Sequence, residues 1–250
     1  MKCVILQPCY LPWRGYFDQI RKADVFVFYD DVQYDARGWR NRNRVLGPAG
    51  PQWITIPVHH HGSQTERRPI HTIEICWDTD WPRKHIRTLE CCYGRAPCFD
   101  DIWTWLAPFY QRRDRYLADL TIDLTMAVAR WMSLESTRLL RSSQVHGEGS
   151  GTARLLSILQ QVGATHYISG PSARAYLDEA LLNRNGITVE YMSYDYPPYR
   201  QMRAGFEPNL SIVDLLFMAG PDAARSVSGA AQEMQSTSGT GQAHRGSGIV

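Results

Sequence analysis

The stretch KCVILQPCYLPWRGYFDQIRKADVFVFYDD, residues 2–31, decides the fold. Residues 2–6 are a short apolar run that reads as a strand. Residues 16–23 have helical spacing, with Phe17, Ile20 and Arg21 on one face. Residues 25–29, VFVFY, are continuously apolar, as in a strand covered on both faces. Strand, short helix and strand in succession predict a βαβ unit, and with it a parallel sheet. Such sheets hold ligands beyond the carboxyl ends of their strands. The block QPCYLPWRGYF, residues 7–17, falls at that end and is the first candidate site.

Outward from this unit, residues 53–58 and 70–77 read as strands, the first closed by Pro57 and three histidines. The middle is helical over 81–92, 100–115 and 120–134. A strand at 137–141 follows. A helix at 152–162 carries Leu155, Leu156, Leu159 and Val162 along one face. Then come a strand at 166–169, a helix at 173–182, a strand at 187–192 and a last helix at 211–218. This second βαβ-like stretch predicts an α/β fold: a mainly parallel sheet with flanking helices, a Rossmann-like or HUP-like core, and a helical middle segment. Residues 1–220 read as one α/β domain. From Pro221 to the end the chain is rich in Ser, Gly, Ala, Gln and Thr, too poor in large apolar side chains to offset its ordering entropy, and reads as a disordered tail.

A chain of 250 residues can bury a sizeable core. Its net charge of +2 argues against an extended nucleic-acid track, so any charged site is local. No run approaches the about 18 apolar residues of a membrane span, and Gln7 and Pro8 end the first apolar run too early for a secretion signal. The expectation is a cytoplasmic protein without membrane insertion. Its six cysteines contain no C-x-x-C pair and read as reduced thiols, with Cys9 the one inside a candidate site.

In the first block, Gln7 offers an amide where the strand ends, Tyr10, Trp13 and Tyr16 offer ring faces, and Gly15 permits close backbone approach. A packed aromatic corner is the competing reading. Asp30 and Asp31, followed by Gln33 and Tyr34, end the next strand, where one acid can serve as a base or both can hold a metal. An Asp turn or helix cap competes there. Arg37, Arg40, Asn41, Arg42, Asn43 and Arg44 then crowd into eight residues without an acid, and Arg forks suit phosphate or carboxylate. A solvated arginine loop is the alternative. His59, His60 and His61 alternate faces if extended, so no metal site is expected of them. His85 is a further candidate base, against a helix-surface role. Ser169 and Gly170 end a strand, and Ser172 reads as the N-cap of a helix carrying Arg174 and Tyr176, where free N–H groups can meet an anion. Ser143 ends the preceding strand. Tyr194 to Gln201 is a stiff aromatic loop that either closes a pocket or covers the core.

The segments QPCYLPWRGYF, ADVFVFYDDVQYDARGWRNRNRV, WITIPV, YISGPSARAYL, YRQ and FEPNLSIVDLLF, in this order, resemble the WbqC-like family, from residue 1 to about 220. The resemblance implies a role in bacterial O-antigen, other surface-polysaccharide or natural-product biosynthesis, and offers the matching positions as site candidates without assigning catalytic roles. The N-terminal strand, stiff loop and helix are also similar to those of nucleotidyltransferases and class I aminoacyl-tRNA synthetases, but Gly15 is followed by Tyr16 rather than a signature histidine. Three functions follow as expectations. One is a group transferase moving an acyl or aminoacyl group onto an amino sugar or similar amine, with Gln7, Asp30, Asp31 and His85 as catalytic candidates and a phosphate- or carboxylate-bearing substrate. The second is a nucleotide-dependent activating enzyme using ATP and Mg²⁺. The third is a non-catalytic scaffold.

Overall fold

The computed structural model describes residues 1–59 and 68–227. In chain order the elements begin with β1 (Lys2–Leu6), α1 (Arg14–Lys22), β2 (Val25–Phe28), β3 (Arg42–Gly47), β4 (Gly50–Thr55), β5 (Val58–His59) and β6 (Glu74–Ile75). Helices α2 (Trp81–Tyr93), α3 (Phe99–Leu106) and α4 (Leu117–Trp131) come next. The chain continues through β7 (Arg138–Arg141), α5 (Ser142–Val145), α6 (Gly151–Val162), β8 (His166–Ser169), α7 (Glu179–Arg184) and β9 (Thr188–Tyr191). Helices α8 (Ile212–Ala219) and α9 (Ala223–Ser226) close it.

Five strands form one sheet in the order β7-β2-β1-β8-β9, and every pairing is parallel. Numbered by their sequence among these five, the order is 3-2-1-4-5, that of a Rossmann-like core. The continuous apolar runs have the expected cause. Cys3, Ile5, Val25 and Val27 pack into one core with Ile158 and Leu159 of α6. Their neighbours Val4, Phe26 and Phe28 pack into the larger core with Tyr16, Phe17 and Ile20 of α1. Successive strand residues point to opposite faces, so a strand with helices on both sides has no polar face. Helices α4 and α8 contribute Leu120, Leu124, Leu215 and Leu216 to the larger core.

Between β2 and β7 the chain makes a long excursion. It holds an antiparallel hairpin, β3–β4, a two-residue ribbon, β5–β6, and the helices α2, α3 and α4.

Several expected elements change. The arginine-rich stretch is not all loop: from Arg42 it is strand β3. The strand expected at 53–58 is β4, which ends at Thr55 ahead of Pro57, and β5 resumes at Val58. Of the strand expected at 70–77, Ile70–Thr72 is a 3-10 turn and only Glu74–Ile75 is extended. The helix expected over 100–115 ends at Leu106. Pro108 supplies no N–H to continue it, and Ala107–Tyr110 tightens to a 3-10 turn. The helix expected over 173–182 splits into a 3-10 turn, Pro171–Ala175, and α7, whose cap is Asp178 rather than Ser172: its carboxylate accepts from the Leu181 amide at 2.9 Å. Of the tail expected from Pro221, residues 221–227 are ordered, with Ala223 and Val227 buried, and the rest lies outside the described residues. So do His60 and His61.

Helix α1 ends against the strand that enters β7. The buried Thr137 hydroxyl sits 2.7 Å from the Ile20 carbonyl, which also accepts from the Ala23 amide at 3.2 Å, and 3.0 Å from the Ala23 carbonyl just past the helix end. Thr137→Val keeps the shape and removes the donor. It is expected to lower the unfolding free energy in urea by about 1–2 kcal/mol, the cost of stranding a buried carbonyl.

Candidate functional site

The chain leaves β1 toward β2 on one side of the sheet and enters β8 on the other. At this reversal the loops after β1 and β8 diverge and leave a crevice, the usual ligand position in such a sheet. A cavity of about 510 Å³ lies there. Leu6 and the loop after β1 form its floor, Gly170, Pro171 and Ser172 after β8 one side, and Arg40, Asn43 and Arg44 of the hairpin arm the other.

The loop after β1 is strained and tied down. Leu11 has φ 42°, a left-handed conformation that costs a buried non-glycine residue about 1–3 kcal/mol. Its carbonyl is thereby turned to two donors, Asn43 Nδ2 at 2.7 Å and Ser211 Oγ at 2.8 Å. Gly15 provides the close approach anticipated for it, but to its own loop: a Cβ there would stand 2.4 Å from the Trp13 ring. The indole is thus laid across the start of α1, edge-on to Tyr194 at 4.9 Å, and both rings line the cavity.

The polar groups are few. Gln19, only 3% exposed, lines the cavity, and among the described residues its amide nitrogen reaches only the Gly15 carbonyl, at 3.5 Å. Arg40 donates Nη1 to the Cys9 sulfur at 2.7 Å. Arg44 donates Nη2 to the Asn209 carbonyl at 3.0 Å and pairs with Glu207 at 3.4 Å. The Nε atoms of both arginines are buried without a partner among the described residues. Burial pushes the Cys9 thiol upward and outweighs the opposing pull of Arg40, so Cys9 is a neutral thiol here rather than an activated nucleophile. Two cations and one amide facing an apolar, aromatic wall suit a small molecule with a ring and an anionic group.

The acids emerge on the same sheet edge, at the β2–β7 end, and do not line this cavity. Asp30 is fully buried. Its carboxylate accepts from Arg141 Nε at 2.7 Å and from the Ser143 amide and hydroxyl at 3.0 Å each, with Ser142 Oγ at 3.2 Å. With its lone pairs so engaged, Asp30 ties β2 to the end of β7. Asp31 meets Ser142 Oγ and Arg154 at 2.5 Å each. Ser143 is spent on Asp30. Gln7 is half-buried, and its side-chain amide has no partner among the described residues.

Several candidates are placed elsewhere. Tyr10 is fully buried, its hydroxyl on Tyr110 at 2.7 Å and on His85 Nδ1 at 3.0 Å, so it offers no ring face to a substrate. His85 is buried rather than on a helix surface, and its other nitrogen meets the Thr55 carbonyl at 3.1 Å. Tyr34 is also core. Asn41 bridges to the Ile56 carbonyl at 2.8 Å and fastens the hairpin. Arg42 stacks over the exposed Trp53 ring and caps the Arg37 and Gly38 carbonyls. Gln33 is exposed and bridges Pro69 through its backbone. Ser169 is buried against the Tyr167 hydroxyl at 3.4 Å. Arg174 lies over the Tyr191 ring, and Tyr176 is 73% exposed. Gln201 bonds Asp214 at 3.0 Å in a buried cluster. The cavity thus gathers Trp13, Arg40, Asn43, Arg44 and Gly170 from the expected set. It adds Gln19, Trp39 and Asn209, which no motif marks: a glutamine inside an amphipathic helix looks like any other polar helix residue.

A family model described as the WbqC-like protein family matches residues 7–226. The chain belongs to the WbqC-like protein family. It is 43% identical over 224 residues to an uncharacterized protein of Mycobacterium tuberculosis, an alignment covering 89% of this chain and 95% of that protein. No solved structure matches it significantly. Among the described residues no helix is long and apolar enough to cross a membrane.

The burial of His85 has a pH consequence. Burial lowers its pKa from 6.5 to about 4, opposed in part by the Thr55 carbonyl. As pH falls from 6.5 toward 4, the unfolded chain takes up a proton that the folded protein refuses, so stability falls by about 3 kcal/mol across that window and this contribution is flat above and below it. His85→Gln should flatten that part of a urea-denaturation series against pH. A second prediction separates structure from catalysis at the β2–β7 edge. Asp30→Ala takes the acceptor from the Ser143 amide and leaves Arg141 with Asp119 alone, and is expected to cost about 2 kcal/mol of stability. A wild-type denaturation midpoint would refute this role for Asp30.

Proposed function

We propose that this WbqC-like protein is a cytoplasmic group transferase of surface-polysaccharide or natural-product biosynthesis, moving an acyl or aminoacyl group onto an amino sugar or similar amine. The observation that carries this reading is the cavity at the sheet's reversal point, where an aromatic wall faces two incompletely paired guanidinium groups. Arg40 and Arg44 grip the phosphate or carboxylate of the substrate, with Trp13 and Tyr194 against its ring and the Gln19 amide orienting it. Gln7, with its unpaired amide at the end of β1, is the nearest of the proposed catalytic candidates in sequence to that wall. Asp31 remains a proposed base on the adjoining edge.

A second reading, a nucleotide-dependent activating enzyme, is favoured by the strand order, which in other folds hosts nucleotides at this point. Against it, the loop after β1 carries Pro8 and Pro12 where phosphate-binding loops offer successive backbone N–H groups.

Calorimetry with a panel of nucleotide-linked amino sugars, free nucleotides and acyl donors distinguishes the two. For the ligand that binds, Arg40→Ala should raise Kd by about tenfold or more, the loss of one charge-assisted hydrogen bond. Trp13→Ala should also weaken it severalfold, and Arg174→Ala, on the Tyr191 surface, should leave it unchanged. Equal affinity in wild type and both cavity variants would remove the cavity from the function.

A further inference from the structure

The ribbon β5–β6 lies outside the cavity and carries a different chemistry. Val58 pairs with Ile75 and His59 with Glu74. This register brings the imidazole of His59, at the end of β5, to the segment that follows β6, where Cys76 and Asp78 stand two residues apart. One donor atom from each of the three lies within 4.8 Å of the others, and Cys76 Sγ is 3.6 Å from Asp78 Oδ2. From these atoms we infer a transition-metal site of the zinc class, with His59, Cys76 and Asp78 as ligands and water completing the coordination.

Three arguments meet here. The first is spacing. With metal–sulfur bonds of about 2.3 Å and metal–nitrogen and metal–oxygen bonds of about 2.0–2.2 Å, the edges of a tetrahedral site are about 3.3–3.6 Å. The Cys76–Asp78 separation already has that length, and His59 is an exposed side chain with room to close the remaining gap. The second is donor type. Thiolate and imidazole together favour Zn²⁺, Co²⁺ or Ni²⁺, whereas Mg²⁺ and Ca²⁺ need several oxygens and find one carboxylate. The third is that the donors are otherwise idle. Among the described residues the His59 ring makes no hydrogen bond, and the Asp78 carboxylate has no cationic partner, its one contact being the Cys76 thiol. On binding, the Cys76 S–H bond breaks, the proton goes to solvent and the sulfur–metal bond forms. The ion clips β5 to the chain after β6, so a ribbon of only two residues per strand gains a third link. With three protein ligands and exposed surroundings, the site exchanges its metal readily and keeps a position open to water.

The test is a Co²⁺ titration of the reduced, metal-stripped full chain, followed by its thiolate-to-cobalt charge-transfer band and by the intense visible bands of four-coordinate cobalt. One equivalent is expected to bind and to be displaced by Zn²⁺. Cys76→Ser should abolish the charge-transfer band. His59→Ala and Asp78→Asn should each weaken binding about tenfold or more while leaving the far-ultraviolet circular dichroism unchanged. Cys91→Ser, at an exposed thiol elsewhere, and the double substitution His60→Ala, His61→Ala should leave the titration as in wild type. A band that survives Cys76→Ser, or binding lost in the double variant but kept in His59→Ala, overturns the assignment. So does the absence of any thiolate band. None of these readouts depends on the transferase reading.

Discussion

A fully buried carboxylate has to be met by donors, because leaving it unpaired costs several kcal/mol. Asp30 stands at the end of β2, and its donors come from Arg141, Ser142 and Ser143 at the end of β7. More than a hundred residues separate the two segments, and all of the hairpin, the ribbon and helices α2 to α4 lie between them. The knot therefore closes the long excursion and fixes both of its ends on one sheet edge. Arg141 extends it to Asp119 of α4 at 2.7 Å, so the helical excursion is anchored by the same group. This is why the hairpin arm arrives where it does: a chain that starts and ends at the outer half of the sheet swings its Arg40–Asn43–Arg44 segment back over the loop after β1.

The central strands were legible because their environment leaves a simple trace. Strands buried on both faces cannot alternate, and β1 runs over the residues that its apolar run predicts, as β8 does over the strand expected at 166–169. The hairpin strand β3 left no such trace. Its inward face begins with Asn43, buried because its amide satisfies the carbonyls of Tyr10 and Leu11, and only then continues to the core residue Val45. Alternation in hydrophobicity does not detect a strand that opens on a buried amide between two arginines, and so the arginines around it read as a loop. The helix expected over 173–182 failed for another reason. A Gly-Pro turn and an apolar stretch look alike whether the helix starts at once or six residues later, and the Asp178 cap decides it.

The site was legible as an edge but not as a set of residues. Position along the chain places Gln7, Asp30, Arg40 and Ser169 at strand ends, and the fold does bring those ends together. Exposure then sorts them, and exposure follows from packing partners remote in sequence. Tyr10 and His85 had the side chains of a binding wall and a base, yet they satisfy one another and Tyr110 in the core. Asp30 had the side chain of a base and is consumed by the knot. What remains at the cavity is what local packing left partly unpaired: the Arg40 and Arg44 side chains, whose Nε atoms are buried without a partner among the described residues, and the Gln19 amide.

The last wall of the cavity depends on polar links as much as on apolar packing. Residues 193–210 contain no helix or strand, yet Tyr194 and Asn209 line the cavity. Two groups on α1 hold this segment. Arg14 donates to the Pro197 carbonyl at 2.8 Å and lies over the Tyr196, Tyr199 and Phe206 rings, and Asp18 accepts from the Tyr196 hydroxyl at 2.9 Å. On the other side Asp214 of α8 accepts from Tyr93, Tyr199 and Gln201, three donors that oppose the upward shift burial imposes on its carboxyl. Buried polar contacts of this kind are directional, so they set a segment's position more narrowly than apolar contact alone. A coil held in that way needs little rearrangement to receive a ligand. The ordering cost of that segment is met during folding. On the proposed reading, recognition in this cavity turns on where the anionic group of the substrate sits relative to its ring.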